Sequence, residues 1–194
     1  MDPVKTIKSK CVPVPMTDID TDLIIPAQYL TSISRGGYGE NLFRRLKDND
    51  PNFALNQPKY KGAEVLVADD NFGCGSSREH AVWAIREAGF KAVICKSFAD
   101  IFYNNSAKNG LLLVKLQSDV VEQILSAAAK EDYVVSIDLA GQYVELPDGK
   151  RVSFEFDEFR KYCLLNGLDD IEYIRSSADK VELFRKQQKF LVTV

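Results

Sequence analysis

The middle of the chain alternates short apolar runs with segments whose apolar residues recur every three or four positions. "AEVLVAD", residues 63–69, has the β-branched and apolar content of a strand. "SREHAVWAIREAG" follows. Ala81, Ile85 and Ala88 fall on one stripe with Ala84 beside it, the spacing of an amphipathic helix, and Gly89 supplies the stop. "KAVICKS" predicts the next strand, "FADIFYNNSAKNG" a helix closed by Gly110, and "LLLVKL" a further strand. This strand–helix–strand–helix–strand order is that of a partly parallel α/β layer.

The flanks carry other patterns. "KCVPVP" starts as a strand, but Pro13 and Pro15 lack the N–H that a full ladder needs. "TDIDTD" is a polar turn rich in capping side chains. "LIIPAQYLTSI" mixes apolar residues with a proline. "SRGGYGENLF" reads as a glycine-rich loop leading into a short helix through "NLFRRLKD". "NDPNFALNQPKYKG" is irregular, with Phe53 and Leu55 available to fasten it to the body. Beyond the centre, "SDVVEQILSAAAK" is a helix, and "DYVVSIDLAGQYVELPDGKRVSFEFD" is three short strands with a tight turn at "PDGK". "EFRKYCLLNG" is a helix capped by Gly167. "LDDIEYIRSSADKVELFRKQQ" is one or two surface helices with Asp169 and Ser177 as N-caps.

Composition narrows the class. A chain of 194 residues, 45% hydrophobic, can bury one sizeable core. The formal charge of -3 is spread along the chain, and no basic block points to nucleic acid. No apolar run approaches the ~20 residues that span a bilayer. The N-terminus lacks the apolar centre of a secretory signal, so a cytoplasmic protein is expected. The four cysteines, at 11, 74, 95 and 163, form no CxxC pair. That spacing argues for free thiols and against a zinc knuckle or a self-contained iron–sulfur site.

The chemistry concentrates in "NFGCGSSREHA", residues 71–81, between the predicted strand and helix. Gly73 and Gly75 permit a tight turn and close approach of a ligand. Ser76 and Ser77 stand where a helix starting near Ser77 would aim its N-terminal N–H groups, and Arg78 adds a planar cationic fork suited to a carboxylate. Two readings stay open on these residues. Ser76 and Glu79 have capping-box spacing, which would make this an ordinary helix start with a solvent-facing arginine. Alternatively, the capped end is a rigid mount for a catalytic group. A serine hydrolase is disfavoured, because the stretch is not GxSxG and the lone histidine, His80, is four residues from Ser76. His80 lies inside the helix and reads as a packed residue before an acid–base group. Asp18, Asp20 and Asp22 would share one face if extended, an arrangement that also suits a hard cation such as Mg²⁺.

"GCGSSREHA", with "DTDLIIPAQYL" before it and "KSFADIFYNNSAKNGLL" after it, resembles the small subunits of bacterial 3-isopropylmalate dehydratases, the counterpart of the swivel domain of aconitase-like hydro-lyases. The resemblance covers nearly the whole chain, through "YCLLNGLDDIEYI". It implies a three-layer β/β/α swivelling domain over residues 1–194, with a helical extension from about residue 157. It implies a large partner subunit carrying a 4Fe–4S cluster, no cofactor on this chain, and a small-molecule substrate at the subunit interface. By the same resemblance Ser76 is the general base, Ser77 and Arg78 bind a substrate carboxylate, and Asp22 positions the serine loop and the arginine. The segment after "YL" is expected to select the substrate side chain. Leu30 and Ile33 there offer apolar surface to an isopropyl group. Thr31 stands where a homoaconitate-type loop would carry arginine, and Arg35 could grip a carboxylate. Sister enzymes acting on citraconate or homoaconitate, and a non-catalytic interaction module, are the alternatives.

Overall fold

In the computed structural model, which describes residues 1–30, 36–176 and 178–187, the elements run β1 (Thr6–Val14), α1 (Thr21–Ile24), α2 (Arg44–Asn49), β2 (Val65–Ala68), α3 (Glu79–Glu87), β3 (Ala92–Cys95), α4 (Asp100–Lys108), β4 (Leu112–Lys115), α5 (Ser118–Lys130), β5 (Val134–Asp138), β6 (Tyr143–Glu145), β7 (Arg151–Ser153), α6 (Glu158–Asn166), α7 (Asp170–Ser176) and α8 (Ala178–Gln187). The strands join in the order β4-β3-β2-β1-β5-β6-β7. β1 divides its length between two ladders. Thr6 to Lys10 pair antiparallel with β5, and Cys11 to Val14 pair parallel with β2. The β2–β3 and β3–β4 pairings are parallel, while β5–β6 and β6–β7 are antiparallel. The parallel layer with its crossover helices, the antiparallel strands and the closing helices make an α/β fold with a C-terminal helical extension, as expected.

Pro13 is carried inside β1 despite its missing N–H, and the strand ends at Val14, the residue before Pro15. Pro13 pairs with Val67 inside the parallel ladder. The Cys11 N–H donates to the Tyr133 carbonyl on the β5 side. Backbone N–H groups alternate sides along a strand, so position 13 would also donate toward β5. The β5 pairing has already ended there, and a missing donor costs nothing on an open edge.

The parallel strands are buried on both faces. Val65, Val67, Ile94 and Val114 pack toward α5, which supplies Val121, Ile124 and Ala128. Leu66, Val93 and Leu113 pack the other way, against Ala81, Val82 and Ile85 of α3. This two-sided burial explains why β2 and β3 read as unbroken apolar runs. The helix expected over 41–48 begins later, at Arg44. Phe43 is fully buried, takes a left-handed φ of 49° and donates its N–H to Ile24, so helical geometry cannot start before it.

Candidate active site

The site is built where the chain leaves β2 and enters α3. Gly73 and Gly75 take φ values of 79° and 85°, a left-handed conformation that favours glycine. At Gly73 space forbids a side chain as well: a Cβ would lie 2.2 Å from Cγ of Phe102 on α4. Four hydrogen bonds hold the turn. The Gly73 N–H donates to the Ile19 carbonyl at 2.7 Å, and the Thr21 N–H donates to the Cys74 carbonyl at 3.0 Å. The Ser76 carbonyl accepts from Thr21 Oγ1 at 3.1 Å and from the Arg78 N–H at 2.8 Å. The turn is therefore fixed by the segment around α1, fifty-odd residues earlier.

Arg78 reaches back to the same segment, where its guanidinium pairs with the Asp22 carboxylate. That hydrogen bond and the adjacent positive charge hold the Asp22 carboxyl below its ordinary value of 3.8. Ser76 and Ser77 are exposed, and among the described residues Ser76 Oγ meets no hydrogen-bond partner. Both serines and Arg78 line a cavity of about 260 Å³ with Thr21 and Gly75. The facing wall is the start of α4, with Asp100, Ile101, Phe102 and Asn105. The first-turn N–H groups of α4 lack intrahelical acceptors, but the Asp100 carboxylate in that same turn opposes their positive potential. The cavity thus offers one cationic fork and two hydroxyls to an anionic ligand, on the side away from Asp100.

Several expectations are revised. α3 begins at Glu79, and Arg78 is its extended N-cap, with no side-chain cap bond. Ser76 is consequently not a capping residue, because the turn's hydrogen bonds hold it outside the helix. Glu79 closes no capping box; its carboxylate accepts from Asn109 Nδ2 at 2.7 Å. Asn109 Oδ1 also accepts from Trp83 Nε1 at 2.9 Å, so one asparagine fastens α3 to the end of α4. Asp18, Asp20 and Asp22 do not share a face. Asp18 turns left-handed at φ 52° and accepts from Asn71, Asp20 caps α1 through the Leu23 N–H, and Asp22 lies in the first turn of α1. Among the described residues no group of three or more His, Cys, Asp or Glu side chains is placed to hold a metal.

His80 packs edge-on to Trp83 and Tyr38, with ring centroids 4.7 and 5.4 Å away. Leu30 is half-buried against the core on the α3 side and does not line the cavity. Thr31, Ile33 and Arg35 lie outside the described residues, as does Ser177. Asp100, Ile101 and Asn105 were assigned no role from sequence. Their only signal was the helical spacing of "FADIFYNN", which gives a face but not what that face meets.

A turn of two serines and an arginine, mounted between a parallel sheet and a facing helix, defines a domain of the aconitase C-terminal class. The family model described as Aconitase C-terminal domain matches residues 1–119. The chain belongs to the family of 3-isopropylmalate dehydratase small subunits. It is 48% identical over 189 residues to the 3-isopropylmalate dehydratase small subunit of Francisella tularensis subsp. novicida, covering 97% of this chain and 100% of that one. The small subunit from Paramagnetospirillum magneticum is 47% identical over 195 residues, with 97% of each covered. The crystal structure of 3-isopropylmalate dehydratase (leuD) from Methanocaldococcus jannaschii matches with a TM-score of 0.69 and 32% identity, over 93% of this chain and 99% of that one.

The cysteines do not suit an iron–sulfur cluster, which needs thiolates gathered in one place. Burial pushes the Cys11 thiol up to about 12 and the Cys95 thiol up to about 11. Cys163 is buried as well, and Cys74 sits apart in the serine turn.

Proposed function

We propose that this chain is the small subunit of a cytoplasmic, two-subunit hydro-lyase that converts 2-isopropylmalate to 3-isopropylmalate through isopropylmaleate, a step of leucine synthesis. The observation that carries the reading is the exposed Ser76 hydroxyl at the cavity, beside an arginine that Asp22 already holds in place. The 4Fe–4S cluster is assigned to the large subunit, since this chain gathers no set of thiolates for it.

The reaction removes a proton from the carbon next to one carboxylate and a hydroxyl from its neighbour, so that water leaves. Ser76 takes the proton. A neutral serine is too weak a base for this, so it acts as the alkoxide. The positive charge of Arg78 and the turn's N–H groups stabilise that form. Ser77 and the Arg78 fork hold the substrate carboxylate and orient the C–H bond toward Ser76 Oγ. Asp22 fixes the guanidinium plane. Thr31, Ile33 and Arg35 select the substrate side chain, and Leu30, packed against the core, anchors the segment that carries them. In rehydration Ser76 gives its proton to the carbon that lost the hydroxyl, while the hydroxyl of water adds to the carbon that lost the proton.

The test is turnover of 2-isopropylmalate, citraconate and homoaconitate by this chain with and without its cluster-bearing partner. The expected result is activity only in the pair, highest on isopropylmalate. Preference for another substrate would reassign the enzyme, and activity of the lone chain would overturn the two-subunit site.

A further inference from the structure

Among the described residues, the exposed large apolar side chains are concentrated in the last three helices. Each helix presents two of them three positions apart, and therefore on one face: Phe159 and Tyr162 on α6, Ile171 and Ile174 on α7, Val181 and Phe184 on α8. Ile171 is 68% exposed and Ile174 64%. The Tyr173 ring contacts both Phe159 and Tyr162, which joins the α6 and α7 pairs into one surface. Leu183 adds a further exposed residue on α8.

α6 is anchored by buried Cys163 and Leu164, but the last two helices have little of their own to hold them. α7 buries no residue, and none of residues 178–186 is buried. Helices shorter than ~12–15 residues are marginal in water unless an apolar face is packed. α7 has seven residues and α8 ten. α7 keeps a reciprocal cap between Asp169 and Glu172 and ion pairs from Asp170 to Arg160 and Lys108. α8 shows one exposed ion pair, Lys186 with Glu182.

We propose that the apolar face of α6–α8 is the docking surface for the large subunit, continuous with the cavity mouth along one face of α4. The continuity is residue by residue. Ile101, Asn105 and Lys108 follow helical spacing. Ile101 and Asn105 line the cavity, and Lys108 pairs with Asp170 at the start of α7. Ile101 is the one exposed large apolar residue outside the last three helices among those described, at 54%. A partner that closes the cavity over Ile101 therefore meets α7 next. The small subunits match across 97% of the chain, these helices included. A domain within a longer chain is held by its linker, while a separate subunit must supply an interface of about 800 Å² instead. The extension provides the apolar centre that such an interface carries.

This inference rests on the proposed two-subunit enzyme, and its test separates the two. Ile174→Glu with Phe184→Glu, in the full chain, is titrated against the cognate large subunit, with binding read by calorimetry apart from turnover. The expected outcome is a Kd raised at least tenfold, an unchanged melting temperature of the isolated chain, and wild-type kcat once the partner saturates. A Kd within twofold of wild type overturns the docking surface, as does a wild-type chain that fails to bind the large subunit. A dimer of the isolated chain that the double variant dissociates, with Kd unchanged, overturns it in favour of a second copy. A lowered melting temperature with Kd unchanged overturns it in favour of burial within the chain. A wild-type pair that binds but ignores isopropylmalate sinks the substrate reading and leaves the docking surface standing.

Discussion

The serine turn and the terminal helices are opposite solutions to holding a short segment in place. Residues 73–78 make a tight, partly exposed loop, yet a hydrogen bond to the Ile19 carbonyl, others from Thr21 and Arg78, and a pairing with Asp22 fix it against buried Phe72 and Phe102. α7 and α8 are regular helices, yet they bury nothing and rest on exposed ion pairs. Regular secondary structure is thus no measure of local stability here. Rigidity follows burial and cross-links to distant segments, and it falls where the proposed proton transfer needs a defined point. The loosely held part is the part argued to await a partner.

The largest effect should come from the hydroxyl that the rigid turn presents. Ser76→Ala removes one exposed atom that bonds nothing else among the described residues, so fold and assembly should persist. Loss of a general base should lower kcat by ~10²–10⁴-fold. Retention of a tenth of wild-type kcat in the reconstituted pair would remove Ser76 from the chemistry and make the turn a mere scaffold.

Next comes the guanidinium. Arg78→Lys keeps the charge and loses the fork, at a cost in kcat/KM equivalent to ~2–5 kcal/mol if a buried carboxylate contact is lost. The same variant probes the pair with Asp22. Arg78 lowers the Asp22 carboxyl, so the contact contributes above the ordinary carboxylate pKa and is lost as pH falls through the depressed value. Carboxyl NMR should find Asp22 titrating below 3.8 in the wild type and closer to it in Arg78→Lys. An Asp22 titration at its ordinary value in the wild type would show that the pair does not form in solution.

Gly73→Ala tests the rigidity of the turn without removing a reacting group, although Gly73 lines the cavity. The added Cβ meets Phe102 at 2.2 Å and sits on a left-handed backbone. Overpacking of this kind costs about 1–3 kcal/mol. Chemical denaturation should read that loss directly, and an unchanged midpoint would mean that the turn yields where it is described as pinned.

The sequence disclosed these regions unequally. The run from β2 to α5 was legible because two-sided burial leaves unbroken apolar strands and amphipathic helices; α5 falls on the predicted Ser118–Lys130. Ser76 and Arg78 were legible as a turn with chemistry, but not where the helix starts, since that is set by contacts to Thr21 and Asp22 from across the fold. The three aspartates misled because alternation implies a shared face only in extended backbone, and Asp20 caps a helix instead. Asp100, Ile101 and Asn105 were illegible as cavity lining because only tertiary packing brings α4 against the serine turn.

The smallest expected effect belongs to the terminal helices, and it sharpens the contrast most. Asp170→Asn removes the ion pairs to Arg160 and Lys108, whose partners are 19% and 43% exposed. Asp170 itself is 46% exposed, which screens both pairs and keeps them near ~0.2–1 kcal/mol, so the global unfolding midpoint should barely move. Hydrogen exchange should still quicken across residues 170–187, because what then holds α7 among the described residues is the Met1 ammonium near Glu172 and the Tyr173 ring against Phe159 and Tyr162. Protection in β2 and α3 should stay as it was, since none of their contacts pass through Asp170. A uniform loss of protection would show instead that the extension unfolds together with the core. The division between a rigid catalytic turn and a partner-dependent extension would then fail.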